Sequence, residues 1–262
     1  MTKKKVTRVG DSSAAAPESK KSSFVASPES KSKARNLRII AIIAWVIAIG
    51  CEVFAIIKLQ EVPVSTAWLI SLLVADLVFV VIGALLWKKA NRLDPASKED
   101  KFKFFVQNQL GLIIAIIAFL PLVILIFTNK NMDKKQKGLV GGIAVAALVI
   151  AGLFGVDFNP PSIEEYSEQT AEVEALNNGL NYVYWTKSGK SYHIFSDCSY
   201  INTDRTTEIF EGTVANAREL KNITDLCNRC ESRAIREKEA LPEAETTEPA
   251  EVVEELIEEY TE

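Results

Sequence analysis

Apolar residues in this chain fall in four long blocks rather than in the periodic stripe of a soluble helix. Ile39–Ile57, Val64–Trp87, Phe105–Thr128 and Leu139–Val156 hold almost no charge. A helix crossing the hydrocarbon of a bilayer needs about 20 mostly apolar residues. The four blocks meet or approach that length; the last is the shortest and the richest in Gly and Ala. A soluble all-helical core would need charged faces on these helices, and they have almost none. The pattern predicts an α-helical membrane protein with four transmembrane helices within residues 37–157, followed by a small α+β C-terminal module. The long polar tail before the first block argues against a cleaved signal peptide there.

The polar segments divide the rest of the chain. Residues 1–36, rich in Lys, Ser and Ala, read as a disordered basic tail. Asn159-Pro160-Pro161-Ser162 punctuates the end of the fourth block. Ser162 and Glu165 have capping-box spacing, which predicts a helix from Ile163 toward Leu176 and a helical stalk over 162–181. Residues 182–238 form the module. Tyr182–Trp185 and Ser191–Ile194 are β-prone, and the turn between them offers Gly189 for a positive φ. A strand near Glu208–Phe210 and a helix near Val214–Lys221, N-capped by Thr213, follow. Residues 239–262 are an acidic tail without Lys or Arg. Its composition favours a solvated tail; the alternative is a helix near 250–260, with Val252, Val253, Leu256, Ile257 and Tyr260 on one face, that docks on a partner or on the protein itself.

Charge around the blocks bears on orientation. Lys31, Lys33, Arg35 and Arg38 flank the first block, and Lys88, Lys89, Arg92, Lys98, Lys101 and Lys103 lie between the second and third. The link Lys58 to Pro63 is nearly neutral. Basic flanks stay cytoplasmic, so the N-terminus is cytoplasmic and the cell membrane is the site. Lys130, Lys134, Lys135 and Lys137 break the pattern. If all four blocks cross, the C-terminus is cytoplasmic too; if the last does not, it changes sides.

Two acids, Glu52 and Asp76, lie inside the apolar blocks. Carboxylates in hydrocarbon cost a few kcal/mol and mark functional candidates. Counted from the first link they differ by roughly 10 Å in depth at about 1.5 Å per residue, so the expectation is that they do not touch. They are either held neutral in the bundle or part of a proton or ion path. Ala44 and Ala48, Gly111 and Ala115, and Ala147, Ala151 and Gly155 recur every four residues, a spacing that lets helices approach closely, within the bundle or in a homo-oligomer. Pro121 is expected to kink the third helix.

The remaining chemistry is concentrated. The one histidine and three of the four cysteines read His193-x4-Cys198 and Cys227-x2-Cys230. One imidazole and three thiolates satisfy a tetrahedral zinc ion with no position left for water, which favours a structural over a catalytic role. A zinc deaminase needs a Glu two residues after its first ligand and a Pro before the Cys pair; Phe195 and Leu226 stand there. Cys227 and Cys230 as a redox pair would leave His193 and Cys198 unexplained. Four ordinary buried residues are the plainest alternative. Arg229 and Arg233 are placed to soften the charge of three thiolates. Cys51, in the first block, reads as a small hydrophobe.

Tyr192-His193, Cys198, Gly212-Thr213-Val214-Ala215, Leu226-Cys227 and Cys230 resemble a small bacterial zinc-binding module found at the ends of otherwise unrelated membrane and secreted proteins. Its closing part is similar to the metal-binding domain of the Ada DNA-repair protein. The resemblance covers roughly residues 182–232. It departs from Ada at His193, where a Cys is expected, and at Thr224-Asp225-Leu226, which replaces a basic, Pro-containing stretch. In Ada a metal-bound Cys accepts methyl groups from DNA phosphates. This segment lacks the basic surface that DNA requires, so no nucleic-acid partner is expected. What the resemblance implies is zinc ligation by His193, Cys198, Cys227 and Cys230.

These features together suggest a multi-pass membrane protein whose partners are the lipid bilayer and a protein bound through the zinc module or the helix near 250–260. The module holds one structural Zn2+ and serves binding, scaffolding or sensing without catalysis. Two alternatives stand beside it: a membrane thiol redox protein using Cys227 and Cys230, and a small transporter or channel component using Glu52 and Asp76.

Overall fold

The computed structural model describes residues 5–9, 24–221 and 223–240. Among these, 24–171 and 218–221 form one compact unit, and 5–9, 172–217 and 223–240 form a second.

The first unit is built on four long helices: α1 (Pro28–Gln60), α2 (Thr66–Leu93), α3 (Lys101–Thr128) and α4 (Lys134–Gly155). All four are long and apolar enough to cross a membrane. Their ends are set by caps rather than by the limits of the apolar blocks. The Ser27 side chain accepts from the Ser30 N–H and Pro28 occupies the first turn of α1. Residues 28–36, expected to be disordered, are therefore helical. They were illegible because a solvated first turn carries no apolar period. Asp100 caps α3, and Asp133 with Gln136 forms a reciprocal capping box on α4. α3 runs through Pro121 as one helix.

On α1 alanines face inward and most isoleucines and valines outward. Ala41, Ala44, Ala48 and Ala55 of α1 are buried, while Ile39, Ile40, Ile43, Val46 and Ile47 are exposed. A helix that is apolar on every side suits a lipid surround. The small residues allow close approach, as their spacing foretold. A Cβ on Gly155 would lie 2.7 Å from the backbone of Gly111, so α3 and α4 touch main chain to main chain. The Trp45 ring occupies the notch left by Gly83, and its Nε1–H donates to the Val80 carbonyl at 3.3 Å. Polar contacts gather at the helix ends. Arg38 pairs with Asp94 at 2.7 Å, and Asn91 donates to the Gln107 carbonyl at 2.9 Å.

Counting from the helix ends changes the offset between Glu52 and Asp76 along their helices. Glu52 lies eight residues before the end of α1 and Asp76 ten residues after the start of α2. At about 1.5 Å per residue the difference is about 3 Å, not the 10 Å expected. α1 continues past its apolar block and α2 begins inside its own, and both shifts narrow the counted offset.

α5 (Ile163–Leu176) spans the boundary between the units. The Ser162 hydroxyl accepts from the Glu165 N–H at 3.1 Å, as its spacing implied. The helix ends where Asn178 (φ 52°) and Gly179 (φ 81°) turn left-handed and the Gly179 N–H closes on the Glu174 carbonyl. The positive φ expected at Gly189 thus falls at Gly179 instead. The 186–190 turn closes through Gly189 N–H to Thr186 O at 3.3 Å.

The second unit holds β1 (Lys5–Arg8), β2 (Val183–Thr186), β3 (Ser191–Tyr192), β4 (Glu208–Gly212), the start of α6 (Val214–Lys221), β5 (Asp225–Leu226) and α7 (Asn228–Ala240). β4 is central, antiparallel to β2 and parallel to β1; β3 and β5 pair in parallel. The tail expected without order contributes β1, held by Lys5 to Glu208 at 3.3 Å and Arg8 to Glu211 at 3.1 Å. Trp185, Tyr192, Ile201, Ile209, Val214 and Ile223 form the buried core. α7 reaches Ala240, two residues into the presumed acidic tail. The proposed helix near 250–260 lies outside the described residues.

Replacing Gly155 with Ile should push α3 from α4. Overpacking of this kind costs about 1–3 kcal/mol. A lower melting temperature of the detergent-solubilised protein is expected. Gly142→Ala, where a Cβ meets nothing within 4 Å, should be tolerated.

Candidate metal centre

Two short strands bring the ligands together. β3 and β5 pair so that Tyr192 stands beside Leu226. The next residue on each strand is a ligand, His193 and Cys227. The Cys227 N–H donates to the Tyr192 carbonyl at 2.9 Å and locks this register. On its other side His193 forms an antiparallel bridge with Tyr184, with both backbone hydrogen bonds at 2.7 Å. The expected hairpin is therefore present, and it delivers His193 from its second arm.

Cys198 sits in a tight turn. Its N–H donates to the Phe195 carbonyl, and its own carbonyl accepts from Ile201 and Asn202 at 3.0 and 2.8 Å. Cys227 precedes α7, and its carbonyl accepts the helix's first bond from Glu231. Cys230 is in the first turn. Both sulfurs thus lie at a helix N-terminus, where unpaired N–H groups and the helix dipole favour thiolates. The Phe195 N–H also donates to the Cys230 sulfur.

The four side chains are all buried, and their ligand atoms lie within 4.8 Å of one another. Cys230 Sγ stands 3.6 Å from His193 Nδ1. All four cysteines are free thiols, and Cys51 of α1 lies outside the cluster. The residues named from spacing alone are brought together without exception, and the group can hold a metal ion.

Burial sets the electrostatics without a cation. It pushes His193 down from 6.5 to about 4. It pushes the Cys230 thiol well above its ordinary range, helped by the neighbouring Cys198 and Cys227. The pocket thus favours a neutral His193 imidazole and a protonated Cys230 thiol, the state from which a divalent cation displaces protons.

Around the cluster Phe195, Asp197, Ser199, Arg229, Arg233 and Arg236 line a cavity of about 270 Å³ that reaches Cys198 and Cys230. Arg233 lies 4.0 Å from the Phe195 ring centroid and is paired with Asp197 at 2.8 Å and Glu237 at 2.7 Å. Its charge is largely met by these acids, so its expected role beside the thiolates is diluted. Arg229 lies over the Tyr200 ring. Sequence reasoning missed β5, whose two residues carry no pattern, and missed that Tyr192 and Leu226 set the register. The paired β-prone and ligand dipeptides Tyr192-His193 and Leu226-Cys227 were the available signal.

Comparison with known protein families, with characterised proteins and with solved structures finds no match to this chain.

The shifts fix a pH profile for the metal-free form. His193 has a lowered folded pKa, so stability falls as pH drops from 6.5 toward 4. Cys230 has a raised one, so stability is full below 9 and falls as pH rises above it. Thermal melts of the stripped protein should weaken on both sides of this window. Metal loading should abolish the alkaline loss, since bound thiolates carry no proton, and leave an acid loss by proton competition.

Proposed function

We propose that this chain is a multi-pass protein of the bacterial cell membrane that carries one structural zinc ion in a C-terminal module akin to the Ada metal-binding domain. The module serves binding, scaffolding or sensing, not catalysis. The observation that carries this reading is the buried His193, Cys198, Cys227 and Cys230 quartet, with all ligand atoms within 4.8 Å. With Zn–S of about 2.3 Å and Zn–N of about 2.0–2.1 Å, a tetrahedral site has an S···N edge of about 3.6 Å. The Cys230–His193 separation is 3.6 Å. Three thiolates and an imidazole fill the coordination sphere, so the ion has no open position for water or substrate.

The membrane half rests on four helices of spanning length with exposed Ile, Val, Leu and Phe around them. Orientation gains support from β1. Strand pairing of Lys5–Arg8 with Glu208–Glu211 requires both segments to be in one compartment. That requires an even number of crossings, so α4 crosses despite the lysines before it. The basic N-terminal flank then makes both termini cytoplasmic, where thiols stay reduced. A protein is the partner class for the module. Nucleic acid is disfavoured, because Arg233 is already paired with acids and the resemblance to Ada lacks its basic stretch.

Elemental analysis of the full chain, purified reduced in detergent, should give one zinc per chain. Cys198→Ser should lose the metal, and the second unit should become protease-sensitive while the helices remain protected. A metal-free, folded protein that forms a Cys227–Cys230 disulfide would replace this reading with the redox one.

A further inference from the structure

Glu52 and Asp76 have no part in the metal centre, yet they are the most anomalous side chains of the bundle. Glu52 is 5% exposed and Asp76 1%, without any lipid around them. They therefore face the protein interior and not the bilayer. Glu52 Oε1 and both Asp76 carboxyl oxygens have no hydrogen-bond partner among the described residues. The two acids stand on neighbouring helices at nearly equal depth, and Asp76 is within electrostatic reach of Glu52.

Among the described residues no cation is in electrostatic contact with either acid. The other titratable group near Asp76 is the Cys51 thiol on α1. Between Phe104 and Thr128 of α3, and between Leu139 and Gly155 of α4, there is no ionisable residue. Buried polar groups are ordinarily hydrogen-bonded, and buried charges are paired. Two buried acids on neighbouring helices, within electrostatic reach of each other, lack a positive charge to offset them.

We propose that Glu52 and Asp76 form a binding site for one small cation, a proton or an alkali-metal ion, held between α1 and α2. The site is inside the bundle and independent of the zinc reading. It gives the membrane half an ion-dependent role beyond anchoring. Binding is a simple exchange: a proton joins a carboxylate oxygen, or the metal ion is ligated by both carboxylates in its place.

Infrared difference spectroscopy on the full chain in lipid nanodiscs tests this. In alkali-free buffer the carbonyl stretch of a protonated carboxyl should be present and should vanish reversibly as pH rises. Loss of that band on adding sodium or potassium chloride at fixed pH, but not choline chloride, identifies the alkali ion as a competing occupant. Loss with pH alone identifies the proton. In either case the response should be absent from E52Q/D76N, and reduced in E52Q and D76N singly should the double variant fail to fold. A carbonyl band indifferent to pH and salt while the protein stays folded means two permanently neutral structural acids and overturns the proposal. A response that survives in the folded variants overturns it as well.

Discussion

Three buried thiols and a buried imidazole lie with their ligand atoms within 4.8 Å of one another, an arrangement that could hold a metal ion. Without a cation, burial holds the Cys230 thiol protonated, helped by the neighbouring Cys198 and Cys227, and keeps the His193 imidazole neutral. In the proposed reading one divalent ion would favour the thiolates and join three separate pieces of chain: the second arm of a hairpin, a turn and a helix N-terminus. The surrounding core is small, with strands of two to five residues. Domains of this size bury too little apolar surface to be secure alone, and structural zinc supplies about 10–16 kcal/mol in comparable peptides. In the proposed reading the ion is therefore what orders β3, β5 and α7 together.

The helical unit relies on a different economy. In lipid there is no hydrophobic drive between helices, so association depends on close packing and a few polar contacts. Backbone contact between Gly111 and Gly155, the Trp45 ring in the Gly83 notch and the Arg38–Asp94 pair are the means here. Against that background the unpartnered Glu52 and Asp76 stand out. Every other fully buried polar side chain of α2 and α3, Asn91 and Asn108, has a partner.

What was legible in the sequence follows from how local each signal is. The ligand quartet was readable because metal spacing and residue scarcity are local facts. Ser162 and Thr213 were readable as caps because a cap is decided within a few residues. β1 was not: its partner β4 lies about 200 residues away, and Lys5–Arg8 carries no distinctive alternation. The start of α1 was hidden because polar helical turns resemble a polar tail. The level placement of Glu52 and Asp76 was hidden because it depends on where the helices end, and Gln60 and Thr66 are not the edges of the apolar blocks. The left-handed turn went to Asn178-Gly179 rather than Gly189, because ending α5 needs it and the 186–190 turn does not.

X-ray absorption at the zinc edge of the intact, reduced protein addresses the central claim most directly. The account requires a four-coordinate shell of three sulfurs at about 2.3 Å and one nitrogen at about 2.0–2.1 Å, with no light-atom ligand from water. A shell with fewer than three sulfurs, a bound water, or no zinc edge on folded protein would contradict it.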